Sequence, residues 1–507
     1  MFKKYRLHPV SALINFFKGL KELLLPIVVI FITSGGIVIN PNDPDFWPSL
    51  IPKLFLVVAL IAVLCFGIVK WRTYVYWFED DELRVEYGLF VKKKRYVPFE
   101  RIQSLNYKEG IFHRMFKLVA VEIETAGSST EAEISLTAVT REQANRIEHE
   151  MKEAKKRLTP VALDEQGEEI FVEEVVLEEN VIHAMSKKDL ILLASTSGGV
   201  GVVLAGILAI FSQVSAYIPY EKIYDEVSSV VRIGTALIIA VIALAFFVTW
   251  LISIIMTFIN YYNFKVIEQD GKIIITRGLL EKKRMTIPLS RIQGIRIVEN
   301  PMREPFGYAT VLVESASTGD DDNKGLSKTN LFPLIKRADI EQKLQAVLPQ
   351  YNVDVNWISS PKRAIPFFYR VDFIYVAPAI ALLSYFFYPY GLFSLLLVVV
   401  FVMLGRWQWK NAAFHIDDTQ LSIRSRFISK TTFVVERRRI QSMEARQSYF
   451  QKRRNIATVG VTVMSGLGGS HAAAQHIEEH EADVLLSWFD RKPTAMNVHQ
   501  EDVIEES

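Results

Sequence analysis

One stretch recurs three times in this chain: YGLFVKKKRYVPFERIQSL at 87–105, RGLLEKKRMTIPLSRIQGI at 277–295 and SRFISKTTFVVERRRIQSM at 425–443. Each copy holds an aliphatic or aromatic pair, a basic cluster and then Arg-Ile-Gln: Arg101, Ile102, Gln103; Arg291, Ile292, Gln293; Arg439, Ile440, Gln441. Gly88, Gly278 and Arg426 each stand thirteen residues before their Arg, and Val121, Val311 and Val459 stand twenty after it, inside alternating runs. Spacing and alternation kept together at three places argue for one folding unit used three times. Any fold proposed for the chain has to place three equivalent copies.

Between the copies lie long apolar runs, in pairs: Leu20 to Ile39 with Leu54 to Val69, Leu190 to Phe211 with Ile233 to Phe258, and Val371 to Phe387 with Gly391 to Gly405. At 1.5 Å per residue such runs approach the roughly 30 Å of bilayer hydrocarbon, so the reading is six spans in three hairpins. Pro378 interrupts one run, which neighbouring helices can tolerate. The first run lacks the short apolar core and small-residue cleavage site of a signal peptide. Half of the 507 residues are apolar and the net charge is only +2, which gives no sign of the basic face that nucleic-acid binding requires. A single cysteine, Cys65, excludes an internal disulfide framework.

Only Lys53, Lys222 and Arg232 lie between the partners of a hairpin, while the other Lys and Arg fall on the opposite side. Basic residues near span ends favour the cytoplasmic face. The expectation is a bacterial cytoplasmic-membrane protein, multi-pass, with both termini and all three modules cytoplasmic. Trp47, Trp71, Trp77, Trp250, Trp407 and Trp409 near the span ends read as interfacial anchors.

The modules alternate with period two, as in DDELRVEYG at 80–88 and DDTQLSIRS at 417–425, the pattern of half-buried strands. Modules one and two close on helical patterns at 140–158 and 334–348, and module three more loosely at 476–489. The expected organisation is an N-terminal segment and first hairpin at 1–71, module one at 72–158, an acidic linker at 159–186 and a second hairpin at 187–259. Module two follows at 260–350, a third hairpin at 351–406, module three at 407–492 and a polar tail at 493–507. The linker reading rests on DEQGEEIFVEEVVLEEN at 164–180, a like-charge run of the kind that stays solvated; the competing reading is a docking strand.

Two sets of residues carry candidate chemistry. Lys92, Lys93, Lys94 and Arg95, then Lys282, Lys283 and Arg284, then Lys430 with Arg437 and Arg438 form basic clusters near one hairpin of each module. Against an anionic leaflet each such cation contributes about 1 kcal/mol, so they are candidates for lipid or partner contact. They equally fit strand edges whose lysines block edge-to-edge pairing. The Arg-Ile-Gln triplets read mainly as structural, with Ile102, Ile292 and Ile440 entering the core and Arg and Gln binding carbonyls at a strand end. A ligand role is the other reading.

Enzyme motifs are weak. HIEEH at 476–480 matches the inverted zinc-peptidase string, but it occupies the place of a module's C-terminal helix and no third ligand follows. TGDDDNKG at 318–325 begins like a calcium loop, yet Lys324 and Leu331 fall where oxygen ligands are needed. No cofactor, metal site or catalytic residue is expected. Almost no ionisable residue sits at mid-depth of a span, which argues against a coupled pump.

Paired spans followed by a strand-rich unit with a basic turn and R-I-Q resemble the bacterial pleckstrin-homology-like membrane proteins of the YdbS/YdbT type. Three modules and the opening RLHPVSAL at 6–13 are similar to the longer kind of member. The resemblance implies a multi-span helical membrane protein with three pleckstrin-homology-like β-sandwich modules, each two bent antiparallel sheets with a C-terminal helix. It also implies a smaller YdbS-like membrane partner with one hairpin and one module, and a part in resistance to antimicrobial peptides or bacteriocins. Membrane lipids and a peptide ligand are the other partners expected. Module three departs from the pattern in Arg426, where the other copies have Gly, and in the Gly-rich SGLGGSHAAA at 465–474, so the resemblance implies least about its binding capacity. The function expected is a non-enzymatic assembly platform; a transporter or lipid-moving device with its route between hairpins competes with it, and a scaffold for exported proteins follows.

Overall fold

The computed structural model describes residues 4–33, 46–88, 91–125, 133–158, 180–196, 235–315, 328–465 and 469–490. They form two compact units, Met1–Pro288 and Leu289–Ser507, each taken by itself below.

In the first unit β1 (Tyr5–Arg6), β2 (Val75–Glu79), β3 (Glu82–Tyr87) and β4 (Lys93–Pro98) make an antiparallel sheet in sequence order. The next strands, β5 (Ile102–Glu109), β6 (Leu118–Thr125) and β7 (Ile134–Thr140), pack on it across a core that includes Tyr76, Leu83, Val85, Val97, Ile102, Val121, Ile123 and Leu136. Helix Arg141–Leu158 closes this core with Ala144, Ile147, Met151 and Ala154, whose three-four-three spacing forms one apolar stripe. The result is a two-sheet sandwich with a C-terminal helix.

The sheet of β5–β7 does not stop at the module boundary. β8 (Asn180–Ala184), β9 (Lys265–Gln269), β10 (Lys272–Arg277) and β11 (Lys282–Pro288) belong to the second repeat, and β11 pairs antiparallel with β5. One seven-stranded sheet, β7-β6-β5-β11-β10-β9-β8, therefore joins the two repeats. Asn180–Ala184, inside the stretch read as a linker, is its edge strand, held on β9; 159–179 lie outside the described residues.

The second unit repeats the device. β12 (Ile292–Glu299), β13 (Tyr308–Ser315) and β14 (Lys328–Lys336) come from the second repeat. They continue into β15 (Ile358–Ser359), β16 (Ala413–Ile416), β17 (Gln420–Arg426) and β18 (Lys430–Glu436) of the third, in the order β14-β13-β12-β18-β17-β16-β15. Last come β19 (Ile440–Arg446), β20 (Ile456–Val463) and β21 (Ser470–Glu478), a three-stranded sheet that shares a core with β16–β18 and helix Glu479–Phe489. Period-two alternation marks which faces are buried but not which strand lies alongside, so it does not show that neighbouring modules share a sheet.

The repeated triplet makes the corner between sheets. Phe99–Arg101, Leu289–Arg291 and Arg437–Arg439 are each one 3-10 turn, and Ile102, Ile292 and Ile440 each start the following strand, nearly fully buried. In all three strands the register slips between that Ile and the residue two further on, so Gln103, Gln293 and Gln441 are bulge residues. A bulge bends a strand and sharpens its twist.

Among the described residues, helices Leu50–Thr73 and Tyr390–Asn411 are long and apolar enough to cross a bilayer. Lys362–Arg370 and Tyr375–Phe386, bent by 55°, make a third candidate if they form one span. Leu54, Phe55 and Phe66 present 61%, 69% and 70% of their surface outward, far more contiguous apolar surface than water tolerates. Helix Val10–Thr33 runs antiparallel along Phe46–Thr73, where Gly19 meets Val63, and at Gly67 a Cβ would come within 3.0 Å of the Ala12 carbonyl. Of the expected second hairpin, Lys187–Thr196 and Thr235–Tyr261 are described and meet where Trp250 Nε1 donates to the Ser195 carbonyl at 3.3 Å. Residues 197–234 lie outside the described set.

Candidate functional site

Helix Thr235–Tyr261 ends against the β10–β11 hairpin, which satisfies its last carbonyls: Gly278 N–H donates to Tyr262 O at 2.8 Å and Leu279 N–H to Ile259 O at 2.9 Å. Gly278 adopts φ +107°, and a Cβ there would sit 2.0 Å from the Glu281 carbonyl oxygen. Gly88 repeats this at φ +109°, with Val91 O at 2.1 Å. Only glycine fits such a turn, which is why two repeats keep it. The Arg277 guanidinium lies over the Tyr261 ring at 4.9 Å, and Leu280 projects from the tip 43% exposed. An apolar tip and a basic strand thus stand at the foot of an apolar helix.

A cleft of about 330 Å³ opens beside this hairpin along the β5–β11 seam. Arg141, Arg277, Lys282, Lys283 and Arg284 line it against two carboxylates, Glu109 and Glu148. Glu109 is held by Arg141 at 2.8 Å, and Glu148 accepts the Tyr107 hydroxyl at 2.9 Å. Burial, then the Glu148 charge and hydrogen bond, raise the Tyr107 phenol above its ordinary value, so it remains a donor. The excess of cations suits an anionic group of phosphate size. The matching cleft on the β12–β18 seam, about 250 Å³, sets Arg337 and Arg424 against Glu299, Glu341 and Asp354, and has no such excess.

The three basic clusters occupy three different situations. Lys93, Lys94 and Arg95 lie exposed on β4, the edge of its sheet; Lys92 is 3.9 Å from Glu86, and Arg95 donates to the Glu133 carbonyl. That is the geometry of a lysine-guarded edge. Lys282, Lys283 and Arg284 lie on an interior strand opposite Glu109, Lys108 and Tyr107, with Arg284 5.8 Å over the Tyr107 ring.

Lys430 must be removed from the lipid-contact candidates. It is 6% exposed, with Nζ 2.7 Å from Glu299 and 3.7 Å from Glu304. Arg426, where the other repeats have glycine, is buried and grips both Glu304 oxygens at 2.6 and 2.7 Å, with its guanidinium 4.0 Å over the Trp407 ring. Burial alone would raise the Glu304 carboxyl, but hydrogen bonds and charge from Arg426 and Lys430 outweigh it and hold the group below the ordinary carboxylate range. Arg437 donates to Asp490 O and Arg438 pairs with Glu436 at 2.9 Å. The third cluster is largely taken up by internal contacts.

The Arg-Ile-Gln residues stay at the corners and do not converge on a ligand site. Gln293 Nε2 donates to Arg291 O at 3.1 Å and Arg439 to Ser290 O at 2.8 Å, whereas Arg101 and Gln441 face outward. The HIEEH histidines do not share a helix face, because His476 belongs to β21 and His480 to helix Glu479–Phe489. TGDDDNKG lies outside the described residues. Arg141, Arg277 and Glu109 were missed in the sequence. A signal existed: Lys282 and Lys430 stand nine residues before their Arg, Glu109 and Glu299 eight after theirs, and these positions face each other on both seams.

A family model described as "Bacterial PH domain" matches residues 25–155, 189–350 and 371–492. The chain is 34% identical over 496 residues to the UPF0699 transmembrane protein YdbT of Bacillus subtilis (strain 168), covering 96% of this chain and 98% of that protein. No solved structure matches it.

Proposed function

Because the chain belongs to the bacterial PH domain family and is similar along nearly its whole length to a transmembrane member, we propose that it is a non-enzymatic membrane platform. Its strand-joined modules fix how the apolar hairpins are arranged. The observation that carries this is the seam: β5 with β11 and β12 with β18 share backbone hydrogen bonds in one register, so neighbouring repeats form a common sheet, not a flexible string. In this reading six spans cross the membrane, the termini and modules are cytoplasmic, and a smaller single-module relative joins the assembly to protect the cell against membrane-active peptides. The charge asymmetry of the hairpins supports the orientation, and the family resemblance supports the partner and the protective role. The test is extraction of the tagged chain from its own membranes in mild detergent. A one-module membrane protein recovered in fixed ratio, with peptide sensitivity on deletion of either chain, is expected; recovery of the chain alone and unchanged sensitivity would overturn the reading.

The cleft beside Gly278 favours a second activity for the same platform, contact with anionic headgroups. Its cations lie beside an exposed apolar tip at a helix foot. Flotation of the purified modules with phosphatidylglycerol vesicles, lost on Arg277→Gln with Lys283→Gln and absent with phosphatidylcholine alone, is the expected result. Equal binding to both vesicle types would remove it.

A further inference from the structure

Both seams obey one rule. The residue eight before one Arg-Ile-Gln faces the residue seven after the preceding one: Lys283 faces Lys108, and Thr431 faces Val298. Each repeat thus offers a β4-type edge to the repeat before it and a β5-type edge to the repeat after it. Three repeats leave one edge of each kind over. Among the described residues, β4 ends the first sheet and β19 ends the last.

Their surfaces differ from the paired equivalents accordingly. Asn106 on β5 and Ile297 on β12 are buried, but the residues at the same positions of β19, Glu444 and Ala445, are exposed. Phe433 and Val434 on β18 are buried, while their counterparts Arg95 and Tyr96 on β4 are exposed. We propose that β19 of one copy of this chain pairs antiparallel with β4 of a second copy, in the register of the internal seams.

That register sets Lys93 against Arg446, Lys94 against Ala445, Arg95 against Glu444 and Tyr96 against Met443. Arg95 and Glu444 form an opposite-charge cross-strand pair, and Tyr96 with Met443 an apolar one. The like-charged Lys93 and Arg446 repeat a juxtaposition the first seam already accommodates at Lys283 and Lys108. Lysines on an open edge discourage indiscriminate pairing, so the acidic Glu444 selects for this neighbour. The contact is heterologous, and such contacts propagate or close into rings.

The test uses the full chain in vesicles with Cys65→Ser as background. Copies carrying Arg95→Cys are mixed with copies carrying Glu444→Cys under mild oxidation; directly opposed residues lie close enough for a disulfide. Lys94→Cys mixed with Glu444→Cys is the control, since adjacent residues point to opposite sheet faces. A disulfide between copies in the first mixture and not in the control is expected. Separately, Arg95→Glu or Glu444→Arg alone should weaken self-association roughly five-fold, and the two together should restore it. Equal cross-linking in the control, a Glu444→Cys chain that bonds only to a different polypeptide in native membranes, or a wild-type chain of single-copy mass at every concentration would each overturn the proposal.

Discussion

Replacing Lys430 with methionine should unlatch the second seam while leaving the cores of the unit intact. Lys430 Nζ is 2.7 Å from Glu299, and both side chains are under a tenth exposed. Removing one partner of a buried ion pair strands the other charge, at a cost of about 3–5 kcal/mol. Arg337, 3.8 Å from Glu299 but 62% exposed, offsets part of this, so the lower end applies. At 1.36 kcal/mol per decade, about 3 kcal/mol is a fall of roughly 150-fold in protection where opening of the seam governs exchange. Hydrogen exchange followed by mass spectrometry on the detergent-solubilised chain reads this at β12 and β18. Because the cost comes from an uncompensated carboxylate, Lys430→Met with Glu299→Met should recover most of the protection. Protection within three-fold of wild type in the single variant, or a double variant worse than the single, would refute the reasoning.

Restoring the repeat's glycine with Arg426→Gly should destabilise the third module by about 3 kcal/mol or more, since Arg426 is paired within β17 and its cation is buried on Glu304; a variant melting with wild type would contradict this. Gly278→Ala should open the β10–β11 hairpin, because φ +107° and the Glu281 carbonyl leave no room for a Cβ; faster exchange at β10 and β11, with β20 unchanged, is the check. His476 is buried against the Phe367 and Phe368 rings, and burial lowers its imidazole to about 4. The folded state thus holds it neutral. Its contribution is complete above the ordinary value near 6.5 and lost as pH falls from there toward 4, where the unfolded chain binds the proton first; His476→Gln should flatten that part of the stability profile of the third module.

The triplets, the basic hairpins and the module size were legible in the sequence because each is a local pattern. Ile102, Ile292 and Ile440 could be assigned to cores from alternation alone. The seams were not legible, since period two fixes which face a side chain takes but not which strand lies next to it. The clearest case is Lys430: in sequence it looks like Lys282, and only the strand beside it decides that one lines an open cleft and the other a closed ion pair. Arg426 stood out as a departure, yet its role depended on Glu304, 122 residues away.

The seams also set a timetable for synthesis. Glu109 of β5 leaves the ribosome well before Lys282 of β11, its partner across the sheet. At about 5–20 residues per second the intervening chain takes roughly 9–35 s to make. Throughout that interval β5 is a finished strand with a bare edge, beside apolar helices already seeking the bilayer. Early membrane capture of the first hairpin would hold that edge near the surface and away from other nascent chains until β11 arrives.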